Sequence, residues 1–192
     1  MHRLFFAIFP DPQALAAMQR IAGSLQDANT LRGRWIDPEK YHVTVRFIGD
    51  YDDAAAAATL DRACAAASGV QAAPFPIVLD RIATFRGRFR APCVLRCARE
   101  CEARLQSLWQ QLGERLAGAG VSDGDARRFL PHVTIAYSDR NLDDPIAVEP
   151  VQWEVAEFAL VDSCHSQHRV VARWPATAPG PDAGRGAFTP DK

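Results

Sequence analysis

The chain has 192 residues, 48% hydrophobic and 23% charged, the make-up of a globular domain large enough to bury a sizeable core. Its formal net charge is −1, from 22 basic and 23 acidic residues, which excludes the basic excess of proteins that grip long nucleic acid; any such contact is expected at an end or a single nucleotide. No apolar run is long enough to span a bilayer. The N-terminal MHRLFFAIFPDPQ lacks the h-region and cleavage site of a signal peptide, so a cytoplasmic protein without membrane attachment is expected.

In chain order, Leu4 to Phe9 reads as a buried first strand, short, apolar and aromatic. Asp11 is placed to cap a helix that has Pro12 at its first position and Leu15, Met18, Ile21, Ala22 and Leu25 at helical spacing. Residues 29–41 read as a loop. His42 to Ile48 alternates as a strand, and the alanine-rich stretch from Asp53 to Ala67 predicts a helix.

Phe75 to Phe85 and Cys93 to Ala98 read as strands joined by a basic turn around Arg86 to Arg90. Glu100 to Ala117 is amphipathic, with Leu105, Leu108, Trp109, Leu112 and Leu116 on one face. A Gly-rich loop from Gly118 to Arg128 follows. His132 to Tyr137, Trp153 to Val161 and Arg169 to Trp174 read as further strands. Residues 176–192 are rich in Pro, Gly and Ala and are expected to form a disordered tail. Helices intermixed with adjacent strand pairs predict an α+β domain over residues 1–175.

The five cysteines are Cys64, Cys93, Cys97, Cys101 and Cys164. An odd count with no secretory signal argues against a disulfide framework. Cys93, Cys97 and Cys101 are spaced by four, but no second pair of closely spaced ligands accompanies them. Small buried thiols are expected there, and no metal site.

Two segments match each other: Tyr41-His42-Val43-Thr44-Val45-Arg46-Phe47 and Pro131-His132-Val133-Thr134-Ile135-Ala136-Tyr137. Their histidines lie 90 positions apart, nearly half the chain, which suggests two lobes each contributing one strand to a shared cleft. Residues i and i+2 of a strand point the same way. His42 and Thr44 therefore share one face, opposite Val43, Val45 and Phe47. His132 and Thr134 likewise share a face, opposite Val133, Ile135 and Tyr137.

Two imidazoles and two hydroxyls suit the hydrolysis of a cyclic phosphodiester. One ring, titrating near neutrality, can activate water while the other protonates the departing ribose oxygen. Threonine hydroxyls can donate to the non-bridging oxygens. No metal or other cofactor is required. Of the remaining histidines, His2 reads as a bystander, and His165 and His168 as part of an ordinary turn or of a cleft rim.

With these motifs and their flanks, the sequence resembles the 2H phosphoesterases, and within them the RNA 2',3'-cyclic phosphodiesterases once called 2'-5' RNA ligases. The pieces are Arg3-Leu4-Phe5-Phe6-Ala7-Ile8, Trp35-Ile36, the two motifs with Arg127-Arg128-Phe129-Leu130 before the second, Phe158-Ala159-Leu160-Val161-Asp162-Ser163 and Arg173-Trp174-Pro175. The resemblance implies an α+β bilobal fold, with two pseudo-symmetric lobes of mainly antiparallel sheet around a central cleft.

It also implies hydrolysis of 2',3'-cyclic phosphate to a 2'-phosphate, with His42 as the acid toward O3', His132 as the base for water, and Thr44 and Thr134 on the phosphate. The implied partners are RNA 3' ends or nucleotides bearing the cyclic phosphate; separately, a monomer is expected. The family often places an arginine where this chain has Tyr137, so Arg46 or Arg127 is the expected replacement. It also often carries a tyrosine where this chain has His168. Phe5 or Phe6, Trp35, Phe89 and Tyr137 are candidates for stacking on a base. The competing readings are a non-catalytic RNA-end or nucleotide-binding module, and an enzyme of the same superfamily for another cyclic phosphate or a 2'-5' linkage.

Overall fold

A computed structural model describes residues 1–85, 90–121 and 129–177. Its elements in chain order are β1 (His2–Ile8), α1 (Pro12–Asp27), β2 (Gly33–Trp35), one 3-10 turn (Pro38–Lys40), β3 (Val43–Tyr51), α2 (Asp53–Ala67), β4 (Phe75–Thr84), β5 (Ala91–Cys97), α3 (Arg99–Gly118), β6 (His132–Ser138), β7 (Ile146–Val155), β8 (Glu157–Cys164) and β9 (Gln167–Pro175). Two of the helices start on side-chain caps. Asp11 accepts from the Ala14 amide at 2.7 Å and Asp52 from the Ala55 amide at 2.8 Å, each satisfying an amide that has no partner in the first turn. Ala98 offers α3 no such cap, but Glu100 and Glu102 in its first turn complement the helix dipole.

The strands join one antiparallel sheet in the order β7-β4-β5-β6-β3-β1-β8-β9, with β2 paired to β6. Outward from the centre, β6-β5-β4-β7 mirrors β3-β1-β8-β9. In each half the motif strand lies beside a strand that precedes it through a helix: β1, α1, β3 on one side and β5, α3, β6 on the other. The central strands β3 and β6 share a single register pair, Val43 with Val133, and β2 of the first half adds three more pairs along β6. The expected lobes are thus two halves of one open sheet.

All three helices cover one face, where Met18, Ala63, Leu105 and Leu112 pack on Leu4, Phe6, Val43, Ile77, Leu95 and Val133. Burying this apolar surface is the main force holding the layers together. The opposite face carries a small apolar cluster of Phe5, Ala7 and Val161, flanked by Phe9 and Phe47, and leaves room for a cleft.

Three expectations change. The loop expected over 29–41 contains β2, a strand too short for periodicity to reveal. The strand expected from Trp153 to Val161 is the end of one strand and the start of another, broken at Ala156. The exposed first part of β7, which includes Pro150, reads poorly as strand because proline donates nothing to a ladder; β7 lies at the sheet edge, where that is tolerated. Ala176, placed in the tail, is buried, and its amide donates to the Ala156 carbonyl at 2.7 Å. Residues 178–192, most of the Arg86–Arg90 turn, and 122–128 of the Gly-rich loop lie outside the described residues.

Candidate active site

The two motif strands share a local irregularity. Along β1, Phe6 pairs with Arg46 and Ala7 with Thr44, so Val45 has no partner. Along β5, Cys93 pairs with Ala136 and Val94 with Thr134, so Ile135 has none. Each is the extra residue of a β-bulge, which resets the alternation of side chains that follow. The cleft-facing set is therefore His42, Thr44 and Phe47 on one strand, and His132, Thr134 and Tyr137 on the other.

All six line one cleft of about 570 Å³, together with Arg3, Phe5, Arg34, Lys40, Asp50 and His168, among others. The sequence-expected imidazoles and hydroxyls come together here from the two halves of the sheet. Phe47 and Tyr137, expected on the apolar face from alternation alone, are turned into the cleft by the bulges, and Tyr137 is also one of the base-stacking candidates.

The histidines are held alike. His42 Nδ1 donates to the Lys40 carbonyl at 2.7 Å and His132 Nδ1 to the Leu130 carbonyl at 2.6 Å. Each ring is thus tied to the backbone two residues before it, which selects the tautomer with a free lone pair on Nε2. The Thr44 hydroxyl donates to His42 Nε2 at 3.0 Å. Phe5 stacks on the His42 ring at 5.0 Å, and Phe85 meets the His132 ring edge-on at 4.8 Å. Both imidazoles are therefore clamped by packing as well as by hydrogen bonds.

That packing moves their titration. Burial pushes His42 down to about 4, the Lys40 carbonyl opposes it, and His168 and His132 push further down. Burial also lowers His132; the Leu130 carbonyl opposes this and the Arg96 guanidinium adds to it. A charged ring is disfavoured at both places until an anion shares the cleft.

The remaining candidates divide. Arg46 does not face the cleft. The bulge at Val45 turns it to the helix side, where it is buried, lies 4.2 Å over the Trp109 ring and donates to the Trp109 carbonyl at 3.1 Å. Its counterpart on β6 is Ala136, not Tyr137. Phe6 is also corrected: it is fully buried against Phe158 and Trp174 on the core side, and Phe5 is the ring that reaches the cleft. Trp35 packs against the core. Arg127 and Phe89 lie outside the described residues.

His165 and Ser166 form the turn between β8 and β9, both with positive φ, at 49° and 64°. His168 leaves that turn on β9 and lies edge-on to His42 at 5.3 Å, so it belongs to the cleft wall. Arg34 and Lys40 were missed because they sit in the stretch read as loop. Arg3 and Asp50 also escaped notice; they form a bidentate ion pair at 2.9 and 3.0 Å on the cleft rim. In the sequence they are 47 residues apart, and adjacent strands bring them together.

A family model described as the 2'-5' RNA ligase superfamily matches residues 9–166. The chain belongs to this superfamily. Similar proteins include one from Geobacillus stearothermophilus named RNA 2',3'-cyclic phosphodiesterase, 32% identical over 132 residues, or 69% of this chain and 40% of that protein. A protein of the same name from Aquifex aeolicus is 25% identical over 141 residues, 69% of this chain and 74% of that one. The match thus spans well under half of the Geobacillus protein.

The crystal structure of E. coli LigT in apo form superposes with a TM-score of 0.73 at 21% identity, covering 92% of this chain and 98% of that one. A Thermus thermophilus structure gives 0.67 at 22% identity with the same coverage. These likenesses establish the fold: α+β, with a large open antiparallel sheet and three helices. Among the described residues no helix is long and apolar enough to cross a membrane.

Proposed function

We propose that the protein hydrolyses 2',3'-cyclic phosphates on RNA 3' ends or nucleotides to 2'-phosphates, by acid and base catalysis that needs no metal. The observation that carries this reading is the matched pair of His–Thr units on one cleft, each ring bonded through Nδ1 to a carbonyl and presenting Nε2 as its working nitrogen. The names of the Geobacillus and Aquifex relatives agree with it.

The chemistry follows from the titration. Both rings are neutral at pH 7, because burial holds them below their ordinary value of 6.5. An entering phosphodiester anion favours the charged form of a neighbouring imidazole and supplies the acid. The neutral ring accepts a proton from water as it attacks phosphorus, the P–O3' bond breaks, and the imidazolium protonates O3'. In this reading His42 is the acid and His132 the base, the roles that the resemblance implies. Thr44 and Thr134 donate to the non-bridging oxygens, where charge accumulates. Rigid rings also lower the entropic cost of alignment.

The cleft suits a terminal nucleotide rather than a long strand, in keeping with a net charge of −1. The protein would then act as a cytoplasmic monomer on small or terminal substrates.

The test is turnover of 2',3'-cyclic AMP and of a cyclic-phosphate RNA end in excess EDTA. The wild type is expected to release 2'-phosphate. His42→Ala and His132→Ala should each lose at least about a hundredfold in kcat. Undiminished rates in both variants rule out this mechanism. Tight 2'-phosphate binding with no turnover of any cyclic substrate indicates a binding module instead.

A further inference from the structure

We propose that Arg34, held on the Tyr137 ring across the β2–β6 pairing, is the cation that binds a non-bridging oxygen of the phosphate between the two His–Thr units. This rests on the phosphoesterase reading and names a residue that the reading does not assign.

Arg34 pairs in register with Tyr137. Paired residues on neighbouring strands share a face, and both line the cleft with His42, Thr44, His132 and Thr134. The guanidinium carbon lies 5.2 Å from the Tyr137 ring centroid, a cation–π contact that orients the charge without neutralising it. Among the described residues no carboxylate pairs with Arg34. Arg3, the other arginine on the cleft, is already engaged by both oxygens of Asp50. Arg34 is thus a charge held in place by a ring and still open to an anion.

The local sequence is built to put it there. Gly33, at φ +152°, lies so close to β6 that a Cβ would sit 2.0 Å from the Tyr137 carbonyl oxygen. Glycine is therefore required for β2 to dock, and docking is what carries Arg34 over the ring. The next residue, Trp35, pairs with Ala136 and anchors the strand in the core. A guanidinium suits this role better than an ammonium, since its planar fork can stack and bind phosphate at once.

Binding of inorganic phosphate, followed by calorimetry or by NMR, tests this without requiring turnover. Arg34→Met keeps an apolar stem and, because the side chain is exposed, leaves the fold intact. It is expected to weaken phosphate binding by about 10- to 100-fold, the loss typical of one charge-assisted hydrogen bond, and to raise KM for 2',3'-cyclic AMP in parallel. Tyr137→Leu should give a smaller loss, whereas Tyr137→Phe, which keeps the ring, should give almost none. The double variant R34M/Y137R returns a guanidinium to the same register position and is expected to recover affinity.

Phosphate bound by R34M as tightly as by the wild type at low salt overturns the proposal. If Arg34 proves essential for phosphate binding but the wild type turns over no cyclic nucleotide, the assignment of Arg34 stands and the proposed function falls.

Discussion

Val43 and Val133 face each other across the centre of the molecule as the one register pair between β3 and β6. Both are fully buried, and each is the middle residue of its motif. Extending the antiparallel register by one step either way sets His42 across from Thr134 and Thr44 across from His132. The pair therefore aligns the cleft from beneath. Truncation of either valine to alanine should cost about 2 kcal/mol, from lost transfer free energy plus a partly collapsed cavity. Because the partners touch, the double variant should depart from additivity by at least about 0.5 kcal/mol. Urea unfolding of the singles and the double measures this, and strict additivity would show that the β2–β6 pairing, not the valine pair, couples the halves.

Arg46 is expected to stabilise the fold and to leave the chemistry alone. Its guanidinium lies over Trp109 and against Gly113, where an added Cβ would come within 2.6 Å of it. Arg46→Met should lower stability by about 1–3 kcal/mol through loss of the stack and of a buried charged hydrogen bond. Gly113→Ala should also destabilise, despite alanine's better helix propensity. KM and kcat at a temperature well below unfolding should be unchanged in both. A KM rise in R46M without loss of stability would place Arg46 back on the substrate.

These residues show what the sequence carried and what it hid. The helix over Asp53 to Ala67 was legible because alanine propensity and the cap at Asp52 agree. The His and Thr faces were legible because they precede the bulges. Beyond Thr44 and Thr134 simple alternation fails: Val45 and Ile135 are ordinary β-branched residues, and nothing in them signals an extra residue. Simple alternation therefore puts Arg46 in the cleft and Phe47 and Tyr137 on the apolar face, although Tyr137 is also a base-stacking candidate. Phe5 and Phe6 are chemically the same, so only pairing with β3 could decide between them. Arg34 was hidden by the brevity of β2, although Gly33 was a clue to a close backbone approach.

Acid sensitivity follows from the two buried imidazoles. In the unfolded chain they take up protons near their ordinary 6.5, whereas folding holds His42 down to about 4 and lowers His132 as well. Below 6.5 the unfolded state binds more protons, so stability is full above that pH and falls as the solution is acidified toward 4. The urea midpoint should decline over this window, and His42→Gln should remove part of the decline. Carboxylates titrate in both proteins, so the difference between them isolates the histidine. Identical pH dependence in the two would show that His42 is not held neutral by the fold.

His168 should act on His42 through space. Its ring lies edge-on to both His42 and Phe5, at 5.3 and 5.6 Å. Burial and Lys40 lower its own titration, and its charge is one of the lesser causes that lower His42. His168→Gln removes that charge while keeping a polar side chain on β9. His42 should then titrate at a higher pH but still below 6.5, because burial is the larger cause and persists. Imidazole C–H shifts followed by NMR across the acid range read this directly. The free-enzyme ionisation in the kcat/KM profile should move the same way. If His42 titrates unchanged in the variant, His168 is a wall of the cleft and does not set the charge of its neighbour.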